Sequence, residues 1–153
     1  MATNVSSTSS SGPAYYTDVN LQNNSKVNLS FSSKKDWYGS EQPPQDIQAN
    51  SSASFLSLAD TQAGSSKAGV VYAVTGNIKW VVAWSNMDGV YMDITDTDVD
   101  WPTVESLLDK SWFDPAAVSK LGYTTRAMIH PDSPANEKVV MLKERETALS
   151  LFY

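Results

Sequence analysis

Along this chain apolar side chains recur mostly at every second position. They are densest between Gly69 and Ile94, which reads GVVYAVTGNIKWVVAWSNMDGVYMDI. Two apolar runs flank Thr75-Gly76-Asn77, and a third follows Met87-Asp88-Gly89. Gly-Asn and Asp-Gly between β-rich runs signal hairpins, because Gly and Asn tolerate the positive φ of tight turns. Successive strand side chains alternate faces, so Ile78, Trp80, Val82 and Trp84 point one way and Lys79, Val81, Ala83 and Ser85 the other. Both sets are mostly apolar, which predicts a central strand covered on both sides. Val90, Met92 and Ile94 alternate with Tyr91, Asp93 and Thr95, which predicts a strand with one buried and one wet face.

The same period appears before and after this meander. Tyr15, Thr17, Val19 and Leu21 predict a first strand, and Val27, Leu29 and Phe31 a second. Asn23-Asn24-Ser25 between them predicts a hairpin. Lys34 to Gln45, KKDWYGSEQPPQ, reads as a loop that presents Trp37 and Tyr38. Ile47 to Leu58 holds one or two Ser-rich strands, and Ala59 to Ala68 a loop. The period changes only once. Trp101, Val104, Leu107 and Leu108 lie at helical spacing, with Pro102 in the first turn and Asp98 and Asp100 suited to the helix start. Pro115 to Leu121 predicts a second short helical turn, stopped by Gly122. Tyr123 to Ile129 and Lys138 to Lys143 are two further strands around a turn at His130 to Asn136. Thr147 to Tyr153 predicts a last edge strand. Many short strands and little helix predict an all-β, single-domain antiparallel β-sandwich or barrel with one or two short helices, and of the two the β-sandwich is expected.

Composition narrows the function classes. The chain has 153 residues, a formal net charge of -6 and no cysteine. One domain over residues 14–153 accounts for that length, preceded by a Ser/Thr-rich tail over 1–13 too polar to offset its ordering entropy. The acidic balance disfavours nucleic acid and anionic membrane surfaces, which need a positive field. Neutral ligands such as glycans or zwitterionic headgroups stay open. The N-terminal stretch lacks the basic and apolar regions of a secretory signal. No apolar run approaches the roughly 20 residues of a transmembrane segment. The expectation is therefore a cytoplasmic or nucleocytoplasmic protein, whose sequons at Asn4, Asn23, Asn28 and Asn50 go unused.

Candidate chemistry is sparse. Trp37 and Tyr38 could stack on the C–H face of a sugar, or Trp37 could fold back to cap the sandwich. Ser85, Asn86, Asp88 and Tyr91 at a strand end are the polar and aromatic groups a small neutral ligand needs; alternatively they simply close a hairpin. Asp93, Asp96, Asp98 and Asp100 alternate as calcium ligands can, but lack the Gly and terminal Glu of an EF-hand; helix capping plus a solvated edge explains them better. His130 stands alone without cysteine or a nucleophile motif. No catalytic residue, metal or cofactor is expected.

The order of motifs resembles the jasmonate-induced proteins of plants. KDWYG at Lys35 to Gly39, AGVVYAV at Ala68 to Val74, WVVAWSN at Trp80 to Asn86, VYMDITD at Val90 to Asp96 and VDWPTVESLL at Val99 to Leu108 follow one another as they do in that family. The resemblance spans roughly residues 17 to 110. A looser likeness links the meander, ending in Ser85 and followed by a short helix, to the actinoporin-like β-sandwich group of cytolysins, fungal fruit-body lectins and sphingolipid-binding proteins. In the cytolysins that Ser helps hold phosphocholine, followed by a Pro and a Tyr/Trp cluster. Here Asn86, Met87, Asp88 and Gly89 follow instead. The resemblance implies a non-enzymatic stress or defence protein that binds a carbohydrate or a glycolipid or lipid headgroup. No pores are expected, since the tail has no apolar face. The alternative is a structural or storage protein whose edge strands self-associate, for example as a homodimer.

Overall fold

In a computed structural model of the chain, the structure describes residues 16–59, 65–86, 89–111, 117–130 and 137–145. The expected tail, the expected last strand and the candidate Asp88 lie outside these residues. The elements are β1 (Tyr16–Asn23), β2 (Leu29–Tyr38), β3 (Asp46–Ile47), β4 (Ser51–Leu58), β5 (Lys67–Thr75), β6 (Ile78–Ser85), β7 (Val90–Thr95), α1 (Trp101–Asp109), β8 (Val118–Lys120), β9 (Tyr123–His130) and β10 (Glu137–Glu144). They form two five-stranded sheets, ordered β4-β1-β10-β9-β8 and β3-β2-β5-β6-β7. The expected all-β sandwich is what forms, with one parallel pair, β1 with β10, in an otherwise antiparallel arrangement.

The meander behaves as its pattern predicts. Gly76 turns β5 into β6 with φ +55, a conformation that costs Gly little. Trp80, Val82 and Trp84 enter the core between the sheets with Tyr72, Val90, Met92 and Ile94, facing Val19, Leu21, Val140 and Leu142. The opposite face of β5 and β6 is also dry, because α1 lies across it. Val71, Val81 and Ala83 pack there against Val104 and Leu108. The helix approaches closely at Gly69, where an added Cβ would lie 2.7 Å from the Trp101 ring. Leu107, expected to face the sheet, is exposed instead; it lies on the outer side of a helix only nine residues long. Asp100 precedes the helix, but its carboxylate accepts from the Thr103 hydroxyl and not from a backbone N–H. No helix among the described residues is long and apolar enough to cross a membrane.

Three local expectations are corrected. First, β1 and β2 are not a hairpin but belong to different sheets. The Asn23 side chain is buried at the crossing. Its amide is shared among the carbonyls of Val27, Ile47 and Gln48 at 2.8 to 3.0 Å, while its oxygen accepts from the Ser25 N–H and hydroxyl. A side-chain amide can satisfy the backbone where a chain leaves a ladder. Second, Lys34 to Tyr38 is the end of β2 and not a loop. Lys34, Lys35, Asp36 and Tyr38 pair with Val70, Gly69, Ala68 and Lys67 of β5. A neighbouring edge overrides the polar composition of this stretch. Third, Val118 to Lys120 is a strand and not a helical turn. Leu121 and Gly122 both have positive φ, as a two-residue hairpin turn into β9 demands.

Candidate functional site

Trp37, Tyr38, Ser85 and Asn86 lie at one end of the second sheet, and the strand register shows how. Tyr38 of β2 lies opposite Lys67 of β5, and Lys67 lies opposite Ser85 of β6. These three side chains share a face, since opposed residues in a ladder point the same way. The pairing slips between Asp36 and Tyr38, so Trp37 is an extra residue in the strand. A bulge re-aims side chains, and here it brings two consecutive rings to one cation. The Lys67 ammonium stands 5.8 Å from the Trp37 ring centre and 5.7 Å from that of Tyr38, within cation–π range.

Lys67 is also held from the helix side. Its ammonium donates to Glu105 at 2.8 Å and ion-pairs with Asp109 at 2.7 Å. Glu105 and Asp109 are four residues apart and so share a helix face. Burial works against the ammonium, but hydrogen bonds and charge from Asp109 and Glu105 outweigh it and keep the Lys67 pKa above its ordinary value. Sequence reading did not single out Lys67. The available signal was a cation opening a strand buried on both faces, with carboxylates spaced i and i+4 on the one helix.

Each predicted residue can now be placed. Trp37 is half-buried and meets Trp101 of α1 edge-on, with centroids 5.8 Å apart at 79°. Its ring caps the junction of helix and sheet. Tyr38 is 43% exposed and offers a ring to solvent. Ser85 is buried, and its N–H donates to the Gly89 carbonyl. Asn86 is half-buried; its side-chain oxygen accepts from the Ser66 N–H at 2.9 Å, and its own N–H donates to the Ser66 carbonyl. The aromatic pair and the Ser85 strand end therefore share one end of the sandwich. Tyr91 lies one row further in, opposite Ala83. It is half-buried beside α1, and burial, then the charge and hydrogen bond of Asp93, push its hydroxyl up to about 12. It lines a separate cavity of about 100 Å³ with Asp93, Thr97, Asp98 and Val104.

Asp93, Asp98 and Asp100 of the acidic run all line that cavity, but the carboxylates of Asp93 and Asp100 have other partners. Asp93 takes an ion pair from Lys120 at 3.0 Å and Asp100 is engaged by Thr103. Among the described residues no group of three or more His, Cys, Asp or Glu converges as metal ligands do. At the Lys67 end, by contrast, the side chains of Glu105 and Asp109 are 33% and 48% exposed. Carboxylate oxygens fixed by a lysine retain lone pairs. They can accept hydrogen bonds from ligand hydroxyls while the Tyr38 ring takes an apolar face.

The architecture is that of an actinoporin-like β-sandwich. Among solved structures, fifteen chains match this fold. The crystal structure of the lipid binding protein Nakanori matches with a TM-score of 0.72 and 15% identity, over 90% of this chain and 74% of that one. At that identity the likeness concerns the fold. No protein-family model matches the sequence, and a comparison with curated proteins finds no match.

Proposed function

We propose that this chain is a non-enzymatic recognition module for a neutral, hydroxyl-rich headgroup, either a free glycan or the sugar of a glycolipid. The observation that carries the reading is the exposed Tyr38 ring beside two carboxylates ordered by Lys67. Aromatic faces and fixed acceptors together orient a polyol, since few well-placed polar groups set direction and an apolar face sets affinity. Charge argues against a phosphate-bearing head. Lys67 contributes one positive charge and Glu105 with Asp109 two negative ones, so the cluster carries a net negative charge of one. In this reading Tyr38 stacks, and Asn86 with the two carboxylates hydrogen-bonds at the rim. Trp37 and Ser85 shape the floor, and Tyr91 supports the row behind. The lipid binding protein that shares the fold favours a headgroup carried on a lipid. The ordered motifs of the first two-thirds of the chain favour a plant stress or defence role of the jasmonate-induced type.

An array of glycans, glycosphingolipid headgroups and phospholipid headgroups tests this. Selective binding to neutral sugars, lost in Tyr38→Ala, is expected. Binding only to phospholipid heads, or binding indifferent to Tyr38, refutes it. A second reading has one observation behind it: Leu56 and Leu58 are 49% and 50% exposed on β4, the edge strand of its sheet. Edge strands with apolar side chains pair with other chains. Light scattering that shows a dimer stable to dilution, alongside a blank array, favours self-association.

A further inference from the structure

A cleft lies at the same end of the sandwich as Tyr38, on its β4 side, where Ser40 follows Tyr38 and pairs with Leu58. It opens on the side of the sandwich between the β2–β3 connection and β4, and holds about 550 Å³. That volume lies within the range of small-molecule sites. Phe55, Leu56 and Leu58 form its apolar wall, and Lys34, Glu41 and Gln42 its polar one. Two backbone hydrogen bonds between Ser40 and Leu58 tie the two walls together, so the cleft is bounded by fixed backbone.

The polar wall is asymmetric in charge and in hydrogen bonding. Lys34 donates to Asp36 at 3.3 Å, to the Glu41 carbonyl at 2.9 Å and to Glu41 Oε2 at 3.0 Å. An ammonium has three donors, so none remains for an anionic ligand. Glu41 is different. Its side chain is 1% exposed, and among the described residues its other oxygen, Oε1, accepts from the Ser57 hydroxyl at a long 3.5 Å. A carboxylate oxygen accepts about two hydrogen bonds. Two carboxylates thus share one ammonium, and an acceptor is left in a buried wall. The charged groups facing Glu41 among the described residues are Lys34 and Asp36, both from β2. Burial, then a hydrogen bond shared with Asp36, push the Glu41 carboxyl up to about 7 against the opposing pull of Lys34.

We propose that this cleft is a second binding site, for a small organic amine whose ammonium head pairs with Glu41 and whose apolar body packs on Phe55, Leu56 and Leu58. The ammonium supplies the donor and the positive charge that the cluster lacks. The site does not depend on the headgroup reading at Tyr38.

The test is calorimetry of the full chain with 4-phenylbutylamine, 4-phenylbutanol and 4-phenylbutyrate. The amine is expected to bind saturably in the millimolar range or tighter, and the alcohol about tenfold more weakly, as loss of a charge-assisted hydrogen bond implies. No binding of the carboxylate is expected. Amine affinity should rise from pH 6 to pH 8, because proton and ammonium compete for one carboxylate. Glu41→Gln should lose about tenfold in affinity together with this pH dependence. Leu56→Asn, at a half-exposed position that tolerates a polar side chain, should weaken amine and alcohol alike. Equal binding of amine and alcohol, preserved affinity in Glu41→Gln, or absence of saturable amine binding to the wild-type chain each overturn the proposal.

Discussion

Trp80 and Trp84 lie two residues apart on the core face of β6 and differ in one hydrogen bond. The Trp80 indole N–H donates to the Thr125 hydroxyl at 2.9 Å, and that hydroxyl donates onward to the Met141 carbonyl. The Trp84 indole is equally buried, packs edge-on against Phe55, and has no hydrogen-bond partner for its N–H among the described groups. A buried donor without a partner costs about 1 to 3 kcal/mol. Trp80→Phe should therefore destabilise by about 1 kcal/mol more than Trp84→Phe, read from denaturant midpoints at unchanged slope. Equal losses would remove the hydrogen bond from the account. Glu41 sets a second residue-scale expectation. Its folded pKa of about 7 lies above its ordinary 4.5, so the folded state holds the proton more tightly. The stability it contributes is full below 4.5 and is lost as pH rises through 7. From about pH 5 to about pH 8 the wild type should lose roughly 2 to 3 kcal/mol relative to Glu41→Gln, whose side chain does not titrate. A pH-independent difference between the two would show that Glu41 is an ordinary carboxylate.

At the scale of elements, the chain's own pattern makes the meander, the helix and the last described hairpin legible. Each has a strong period and a local signal, such as Gly76-Asn77 or Asp100 before Pro102. What the pattern hides is decided by partners far away in sequence. Lys34 to Tyr38 is polar and flanked by turn residues, yet β5 extends it into a strand. Asn23-Asn24-Ser25 has hairpin composition, yet its amide serves a crossing between sheets. Leu121 occupies a positive φ of 56 that its side chain does not favour, so no Asn-Gly signature marked the β8–β9 turn. Leu121→Asn should stabilise by about 0.5 to 1 kcal/mol, because Asn tolerates that conformation and Leu121 is exposed. Thermal melting checks it; a lower melting temperature would assign Leu121 a packing role. Gly69 sets the opposite expectation. A methyl there meets Trp101, so Gly69→Ala should cost about 1 to 3 kcal/mol by lifting the helix start. A loss confined to that junction should also change the environment of Trp37, visible in near-ultraviolet circular dichroism. Unchanged stability and spectrum would mean that α1 docks loosely.

At the scale of the whole molecule, the sandwich puts α1 and the ends of β2, β5, β6 and β7 in one neighbourhood. Trp37, Tyr38, Ser85 and Asn86 were legible as candidates because each breaks a local pattern: an aromatic pair in a polar stretch, or polar groups ending an apolar strand. Their convergence was not legible, since it depends on strand order. Nor was Lys67, whose partners lie on a helix 38 residues later. The same geometry divides the aromatic pair. Lys67 stands over both rings, but Trp37 also meets Trp101 while Tyr38 stays 43% exposed. The account therefore turns on Tyr38. The direct measurement is the affinity of the wild-type chain and of Tyr38→Ala for the strongest neutral glycan found on the headgroup array, with melting temperatures measured in parallel. The account predicts a loss of about tenfold or more at unchanged stability, as removal of a stacking anchor implies. Equal affinity of the two proteins would contradict it and place recognition elsewhere on the sandwich.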